Sequence, residues 1–589
     1  MKHLYTLIRY TKPYYKNVIY SILSMFVQVA AGFVIPLLMI TIIDQAIPNG
    51  DTTLLLQTSA IMVGVALFGL VTGLFNNYNS QKVAMFSTAD LRVDLFAKIQ
   101  SLSFNNIDHF KTSRLITTAT NDITRIQQFY QMLLRILVRA PLMMIVGTIF
   151  AIQTSRELSQ LFYISVPMLI ISFVVIMIIA FPKFSKVQKT VDGLNKVTLE
   201  TANAPRVIKS FVTSKEENDK FEAANELFRV TNTSANKIMA FAEPIIMFIF
   251  NASLGGIIAL GAYYLNTGDL ISNGTRQVGL LIAFNNYSSQ ILFGLLMFAM
   301  MMIFMSRASV SAKRIMEVFD ETIDLENLPN AISDVSLTGE IEFKNVGFGY
   351  GTDGNRVLRD ISFKVNPGET VGIIGSTGSG KTSLIHLIPR LYDVCEGGIY
   401  LNGINVKELD VDMVRSQISV VTQTATIFSG SIGTNIRQGK NDASYSEFDE
   451  ATGNAVATEF ITDYEDLYNH KIEQNGANLS GGQKQRISLS RAFIRQPKIL
   501  ILDDSTSAVD AKSEEAILAS IKKLSKNMTS LIISQKVSTI RDMDKIIVLN
   551  NKGKLDGFGT HDELIKSSKV YQEIALSQLG NGGGLDGKK

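Results

Sequence analysis

Cysteine is almost missing from this chain: Cys395 is the only one in 589 residues. A single thiol excludes an internal disulfide framework and any cysteine-based zinc site. Its expected state is that of a small buried residue. Charge is also scarce. Charged residues make up 19% of the chain and the formal net charge is only +3, which excludes a polyelectrolyte role on nucleic acid. The first apolar run is too long for a cleavable signal peptide and no small-residue cleavage pattern follows it, so none is expected. The composition is 46% hydrophobic with a mean hydropathy of +0.19. That is too apolar for a soluble enzyme of this length and too charged for a chain lying wholly in a membrane. The two halves differ: residues 1–310 hold almost every long apolar run, whereas 338–578 read as an ordinary α/β domain.

Six apolar stretches are long enough to cross a bilayer, which takes about 20 residues of helix. They lie near 17–43, 55–77, 130–153, 159–181, 239–264 and 278–305. Backbone groups in lipid must be satisfied within the segment, so these are expected to be helices. Basic residues set the orientation. Lys2, Arg9, Lys12 and Lys16 precede the first span, and Lys82, Arg92, Lys98, Lys111, Arg114 and Arg125 follow the second. Ten more lie between Lys183 and Lys237, after the fourth. The three remaining connections hold only Arg156 and Arg276. Both termini and both long connections are therefore expected on the cytoplasmic side of a cell membrane. Ser87–Ile107 and Val187–Arg229 keep helical spacing, so the spans should continue as helices beyond the bilayer.

Polar residues within the spans are costly enough to need a reason. Gln28, Asn251, Asn285, Asn286, Tyr287 and Gln290 either line a cavity for amphipathic small molecules or bond between helices. Arg135 and Arg139 stand near the start of the third span, and Met297, Met300, Met301, Met302 and Met305 mark the inner end of the sixth. A methionine cluster of this kind reads first as packing.

The second half carries chemistry. Gly375-Ser376-Thr377-Gly378-Ser379-Gly380-Lys381-Thr382 is a phosphate cradle. Its glycines let backbone N–H groups face a polyphosphate, Lys381 reaches the terminal phosphates, and the Thr382 hydroxyl faces Mg²⁺. The apolar strand Val371–Ile374 feeds this loop, and Ser383 opens the helix whose N-terminus faces the phosphates. Ile499-Leu-Ile-Leu-Asp503 delivers a second metal ligand. Between them stands Leu479-Ser480-Gly481-Gly482-Gln483, which resembles the signature of ABC-type ATPases.

That resemblance covers residues from about 5 to about 578 and is closest to exporters of the ABC type. It implies a fold class: an α-helical membrane domain of six transmembrane helices with long cytoplasmic extensions, fused to an α/β P-loop ATPase domain. The boundaries expected are 1–319 for the membrane domain, 320–337 for a linker, 338–578 for the nucleotide-binding domain and 579–589 for a flexible tail. The resemblance also implies ATP and Mg²⁺ as cofactors, Tyr350 as the aromatic stacking on adenine, and Gln423 as a residue reaching the metal or its water. Leu102–Phe110 and Arg206–Val212 match short coupling helices that lie on ATPase domains. In this family the signature of one ATPase domain closes over ATP held by another, so two chains are needed.

Two letters depart from the family pattern. Asp504 stands where Glu usually serves as base, and Gln535 where His usually stands in the switch strand. Asp is shorter by one methylene, a setback of about 1 Å that can cost about a hundredfold in rate. Gln535 can donate a hydrogen bond but cannot titrate. With the cradle whole, this site should bind MgATP and hydrolyse it slowly, while the intact signature serves a partner's site. The chain thus resembles the degenerate-site subunit of heterodimeric multidrug exporters from Gram-positive bacteria, and the expected partner is a second half-transporter with Glu and His in place. A slow homodimer, or a lipid or peptide exporter of the same architecture, remains open. A peptide exporter with an attached protease would need a cysteine near the N-terminus.

Overall fold

The computed structural model describes residues 2–267, 271–272, 275–351 and 356–579. The expected tail lies outside these from residue 580 onward. The chain forms two compact units, Met1–Gln100 with Ser113–Asp320, and Ser101–Thr112 with Glu321–Lys589.

The first unit is helical. Six helical stretches are long and apolar enough to cross a membrane: Lys2–Ala46, Thr52–Ser101, Thr112–Thr154, Arg156–Asn203, Ser214–Tyr264 and Val278–Phe298. Several run far past a bilayer. Thr52–Ser101 is one helix of 50 residues, about 75 Å at 1.5 Å per residue, against a hydrocarbon core of about 30 Å. The sixth helix continues unbroken from Val278 to Phe319. The helical extensions read from the sequence are therefore present.

Aromatic packing ties the first, third and sixth spans together. Phe33, Phe150 and Tyr287 form a triad with ring centroids 5.8–5.9 Å apart, and the fully buried Tyr287 donates its hydroxyl proton to the Phe33 carbonyl at 3.2 Å. Polar contacts fix both ends. Asp44 accepts hydrogen bonds from the backbone N–H groups of Gly279 and Leu280, at 2.6 and 3.1 Å, capping the start of the sixth helix. Near the other end, Tyr14 and Tyr10 donate to Asp90 and Asp94, each at 2.8 Å. Asp122, only 1% exposed, accepts from Ser311 at 2.7 Å.

The third span is not a uniform α-helix. It widens into π turns at Thr118–Asp122 and Leu133–Leu137. Pro141 follows the second and has no N–H to offer the Leu137 carbonyl, which favours the wider turn there.

The second unit is framed by two larger sheets. Strands β1 (Ile341–Phe348), β2 (Leu358–Val365), β4 (Glu396–Leu401) and β5 (Ile404–Asn405) form an antiparallel sheet in the order β2-β1-β4-β5. The other sheet has the order β10-β9-β3-β8-β7-β6, with β3 (Thr370–Gly375), β6 (Ile418–Val421), β7 (Ile499–Asp503), β8 (Thr529–Ile533), β9 (Lys545–Leu549) and β10 (Leu555–Gly559). All its neighbours are parallel except β9 and β10. Every residue of β7 and β8 is buried. That fits the apolar runs Ile499–Leu502 and Leu531–Ile533, since a parallel sheet is covered on both faces. Cys395 departs from expectation: it is exposed, because it precedes β4 in a turn and not in the core.

Residues 101–112 belong to this second unit. Their helix, Phe104–Phe110, is opened by Ser103 and Asn106 in a reciprocal capping box. Asn106, 5% exposed, also donates to Glu321 and to the Thr322 carbonyl, both at 3.1 Å. Asp108 accepts from Tyr392 at 2.9 Å. Asn106→Ala leaves the Ser103 N–H and the Thr322 carbonyl without these partners, at a cost of about 1–3 kcal/mol. Hydrogen exchange at residues 103–111 of the full chain is therefore expected to accelerate by about tenfold or more. Unchanged protection would show that Asn106 does not hold this helix.

Candidate nucleotide site

Three neighbouring strands end at one edge of the parallel sheet. Asp503 pairs with Ile533, and Ile533 with Ile373, two residues before the cradle begins. The cradle turns through Gly378 at φ +81° and Gly380 at φ +93°, the left-handed region that favours glycine. The helix Lys381–Leu387 starts directly after it. Thr382 donates its hydroxyl proton to the Asp503 carboxylate at 2.9 Å, bringing the two predicted hard-oxygen ligands together. This donor set fits Mg²⁺, which takes few protein oxygens beside water and phosphate. Lys381 donates to the carbonyls of Gly375 and Ser376 at 2.8 and 2.9 Å. Burial pulls its ammonium below the usual lysine range, and Asp503 and Asp504 oppose that shift. Ser379 is fully buried, and its hydroxyl has no hydrogen-bond partner. A loop with such a hydroxyl and an uncommitted helix start suits an anion of high charge.

Asp504 follows Asp503 with φ +48°, in the left-handed region. One carboxylate oxygen accepts the Gln535 amide at 2.9 Å and lies 3.4 Å from the Gln423 amide. The three residues singled out in the sequence thus converge on one oxygen. Burial raises the Asp504 carboxyl above its ordinary range, and the Gln535 hydrogen bond offsets part of the shift.

Tyr350 is 40% exposed, and its hydroxyl lies 2.9 Å from that of Ser383. Phe348 and Tyr392 hold it edge-on, with centroids 4.9 and 5.2 Å away, leaving a ring able to stack. Tyr392 also contacts the Phe104–Phe110 helix through Asp108 and Phe104. No motif singles Tyr392 out in the sequence, where its signal is an aromatic soon after the cradle helix.

The signature segment starts a helix, Gly481–Phe493, capped by Ser480. Its hydroxyl accepts from the Gln483 N–H at 3.2 Å while the Gln483 carboxamide accepts from the Ser480 N–H at 2.9 Å. Leu479 is buried. A Cβ on Gly482 would stand 3.0 Å from the Ala508 carbonyl, so glycine lets the Ser507–Asp510 loop lie against this helix.

The fold and these motifs have known counterparts. Residues 18–311 match the family model described as the ABC transporter transmembrane region, and 358–507 that of the ABC transporter. The uncharacterized ABC transporter ATP-binding protein YfiB of Bacillus subtilis is 36% identical over 574 residues, 98% of each chain. The chain belongs to the ABC transporter family. The uncharacterized family member Rv1273c of Mycobacterium tuberculosis is 33% identical over 97% of each chain. A solved bacterial Atm1-family ABC exporter with ATP bound shares the fold, with a TM-score of 0.79 at 23% identity over 98% of this chain and 99% of that one. The protein is an ABC exporter half-transporter, with membrane and ATPase domains fused in one chain.

The six polar residues read as cavity candidates in this exporter occupy different surroundings. Gln28 lines a cavity of about 310 Å³. Tyr287 and Gln290 reach the first span, donating to the carbonyls of Phe33 and Gly32 at 3.2 and 3.5 Å. Asn285 has a buried oxygen without a partner. Asn286 is exposed and donates to Ile282 in its own helix, and Asn251 is exposed on this chain.

Asp503→Asn keeps the hydrogen bond to Thr382 possible while removing the charge a metal needs. ATP affinity of the full chain, measured by calorimetry with and without Mg²⁺, is expected to lose its dependence on the metal. A variant that still binds ATP more tightly with Mg²⁺ would place the metal elsewhere.

Proposed function

We propose that this chain is the slow-hydrolysing half of a heterodimeric exporter that moves hydrophobic or amphipathic small molecules, including several drug classes, out through the cell membrane. Its own site holds MgATP, and its signature segment completes the partner's site. The reading is carried by the surroundings of Asp504. Its carboxylate is one methylene shorter than the usual base, its conformation is left-handed, and one oxygen is engaged by Gln535 and approached by Gln423. A base must reach the attacking water within hydrogen-bond distance. A shortened carboxylate tied to a neutral amide is poorly placed to do so.

The parts that bind are unimpaired. The cradle backbone, Lys381 and the helix start at Lys381 favour phosphate charge, and Tyr350 offers a ring for a base. Thr382 and Asp503, with Gln423, would hold Mg²⁺, which would supply charge neutralisation on the phosphates. The capped helix start at Ser480–Gln483 presents N–H groups suited to a second, partner-held phosphate. The composition agrees with a Gram-positive source, and the basic connections favour the cytoplasmic side for both termini and the ATPase domain.

Two outcomes are expected. The purified chain without a partner should hydrolyse ATP at a small fraction of the rate of the assembled exporter, with little stimulation by transported drugs. A homodimer working at ordinary exporter rates would sink the pairing. In the assembled exporter, Asp504→Glu combined with Gln535→His should raise basal ATP hydrolysis while drug efflux stays equal or falls. MgATP held at the slow site is proposed to keep the ATPase domains engaged between cycles, and restoring the base would let both sites empty. Efflux and hydrolysis rising by the same factor would remove the clamp from the account.

A further inference from the structure

The cavity beside Gln28 carries more charge than an apolar transport path needs. It lies among the first, second, third and sixth spans, and Arg135 and Arg139 both line it. These residues are four apart on the third span, and Arg135 sits inside the π turn Leu133–Leu137. Turns of this kind recur at functional sites. At about 1.5 Å per residue, Arg139 and Arg135 lie about 22 and 28 Å in from Thr154, the outer end of the span. Both therefore fall at the level of the inner leaflet.

A guanidinium is always charged, and inside a membrane it needs a counter-charge or a route to water. No carboxylate lines this cavity, and among the described residues no ion pair reaches either arginine. The Nε–H of Arg139 is buried without a hydrogen-bond partner. The other polar groups of the wall are uncharged. Gln28 lies against the second span at Gly73, where a Cβ would come within 2.7 Å of its amide nitrogen. Asn76, 2% exposed, donates to the carbonyl and the hydroxyl of Ser21 at 2.6 and 3.0 Å. Met25, Met132 and Met297 line the same cavity, flexible side chains that adapt to varied apolar shapes. The volume, about 310 Å³, is at the lower end of the range for small-molecule sites.

We infer that this cavity is an anion-recognising site, in which Arg135 and Arg139 hold the carboxylate, sulfonate or phosphate head of an amphipath whose apolar part lies against the methionines. The inference rests on the exporter reading above and names a substrate class for it. Guanidinium forks match such heads through paired N–H donors, and the Arg139 Nε–H is one donor still unused. The same chemistry could be supplied by a soluble organic anion or by the headgroup of an inner-leaflet lipid.

The test uses the purified full chain in phosphatidylcholine nanodiscs without nucleotide, so it does not depend on the pairing or on the slow site. The probes are a dansyl-labelled undecanoic acid, its methyl ester and the corresponding amine. The acid is expected to bind about tenfold or more tightly than the ester, and the amine no better than the ester. Arg135→Gln with Arg139→Gln should abolish that preference, and the double Lys variant should keep most of it. Retained ATP binding at the Lys381 site checks that each variant is folded, and the wild-type comparison of acid with ester needs no variant at all. Lipid extraction separates the two sources. Phosphatidylglycerol enriched in the native-membrane preparation and lost from the double Gln variant supports the site as a lipid headgroup site. Acid binding without such enrichment supports a soluble anion. Equal binding of acid and ester, or a preference that survives in the double Gln variant, would overturn the inference. So would a preference that vanishes when the partner chain is added, because a partner carboxylate would then be the counter-charge.

Discussion

The hydrogen bond between Thr382 and Asp503 joins two pieces of chain 121 residues apart, and the chemistry of the ATPase unit depends on it. It exists because β3, β8 and β7 are parallel neighbours, so their carboxyl ends share one edge of the sheet. Parallel pairing requires both faces to be covered, and every residue of β7 and β8 is buried. The glycines of the cradle then turn the chain back into the Lys381 helix before the strand edge is left behind. Metal ligands, phosphate donors and Asp504 are consequences of this one arrangement.

The same edge sets what Asp504 can do. It follows the metal-binding Asp503 directly, so its backbone is fixed by β7, and only the length of its side chain decides how far the carboxylate extends. Gln535 follows the neighbouring strand β8 and reaches the same oxygen. Burial favours the neutral carboxyl and the amide favours the charged one. An imidazole at position 535 would bring a titratable group to this contact. The amide brings a fixed donor, so the pair is suited to holding a geometry and poorly suited to passing a proton.

Much of this was legible in the sequence, for identifiable reasons. Motifs such as 375–382 and 479–483 need particular residue types at fixed spacing, because backbone N–H groups must face a phosphate or a helix must be capped, as Ser480 and Gln483 do. Six spans were legible because lipid enforces long apolar helices. What was not legible depends on helix rotation and on contacts between distant segments. For Tyr287 the sequence left two readings open, lining a cavity or bonding between helices; only its place in the packing, with the ring buried against Phe33 and Phe150 and the hydroxyl bonded to the first span, separates them. Cys395 read as a core residue because it is small, but a turn before β4 places it in solvent. Tyr392 gave no motif, since its role as a support for Tyr350 comes from three-dimensional packing. The cavity beside Arg135 and Arg139 depends on how four spans meet, which periodicity does not disclose.

The central claim is that the site built on Lys381, Asp503 and Asp504 keeps its nucleotide unhydrolysed while the partner's site turns over. The direct measurement loads the assembled exporter with radiolabelled MgATP, chases with unlabelled MgATP through many turnovers, and identifies the label still held on this chain. The account predicts that label remains bound to this chain chiefly as ATP after the partner's site has exchanged many times. Label lost at the partner's rate, or recovered from this chain mainly as ADP, would contradict it.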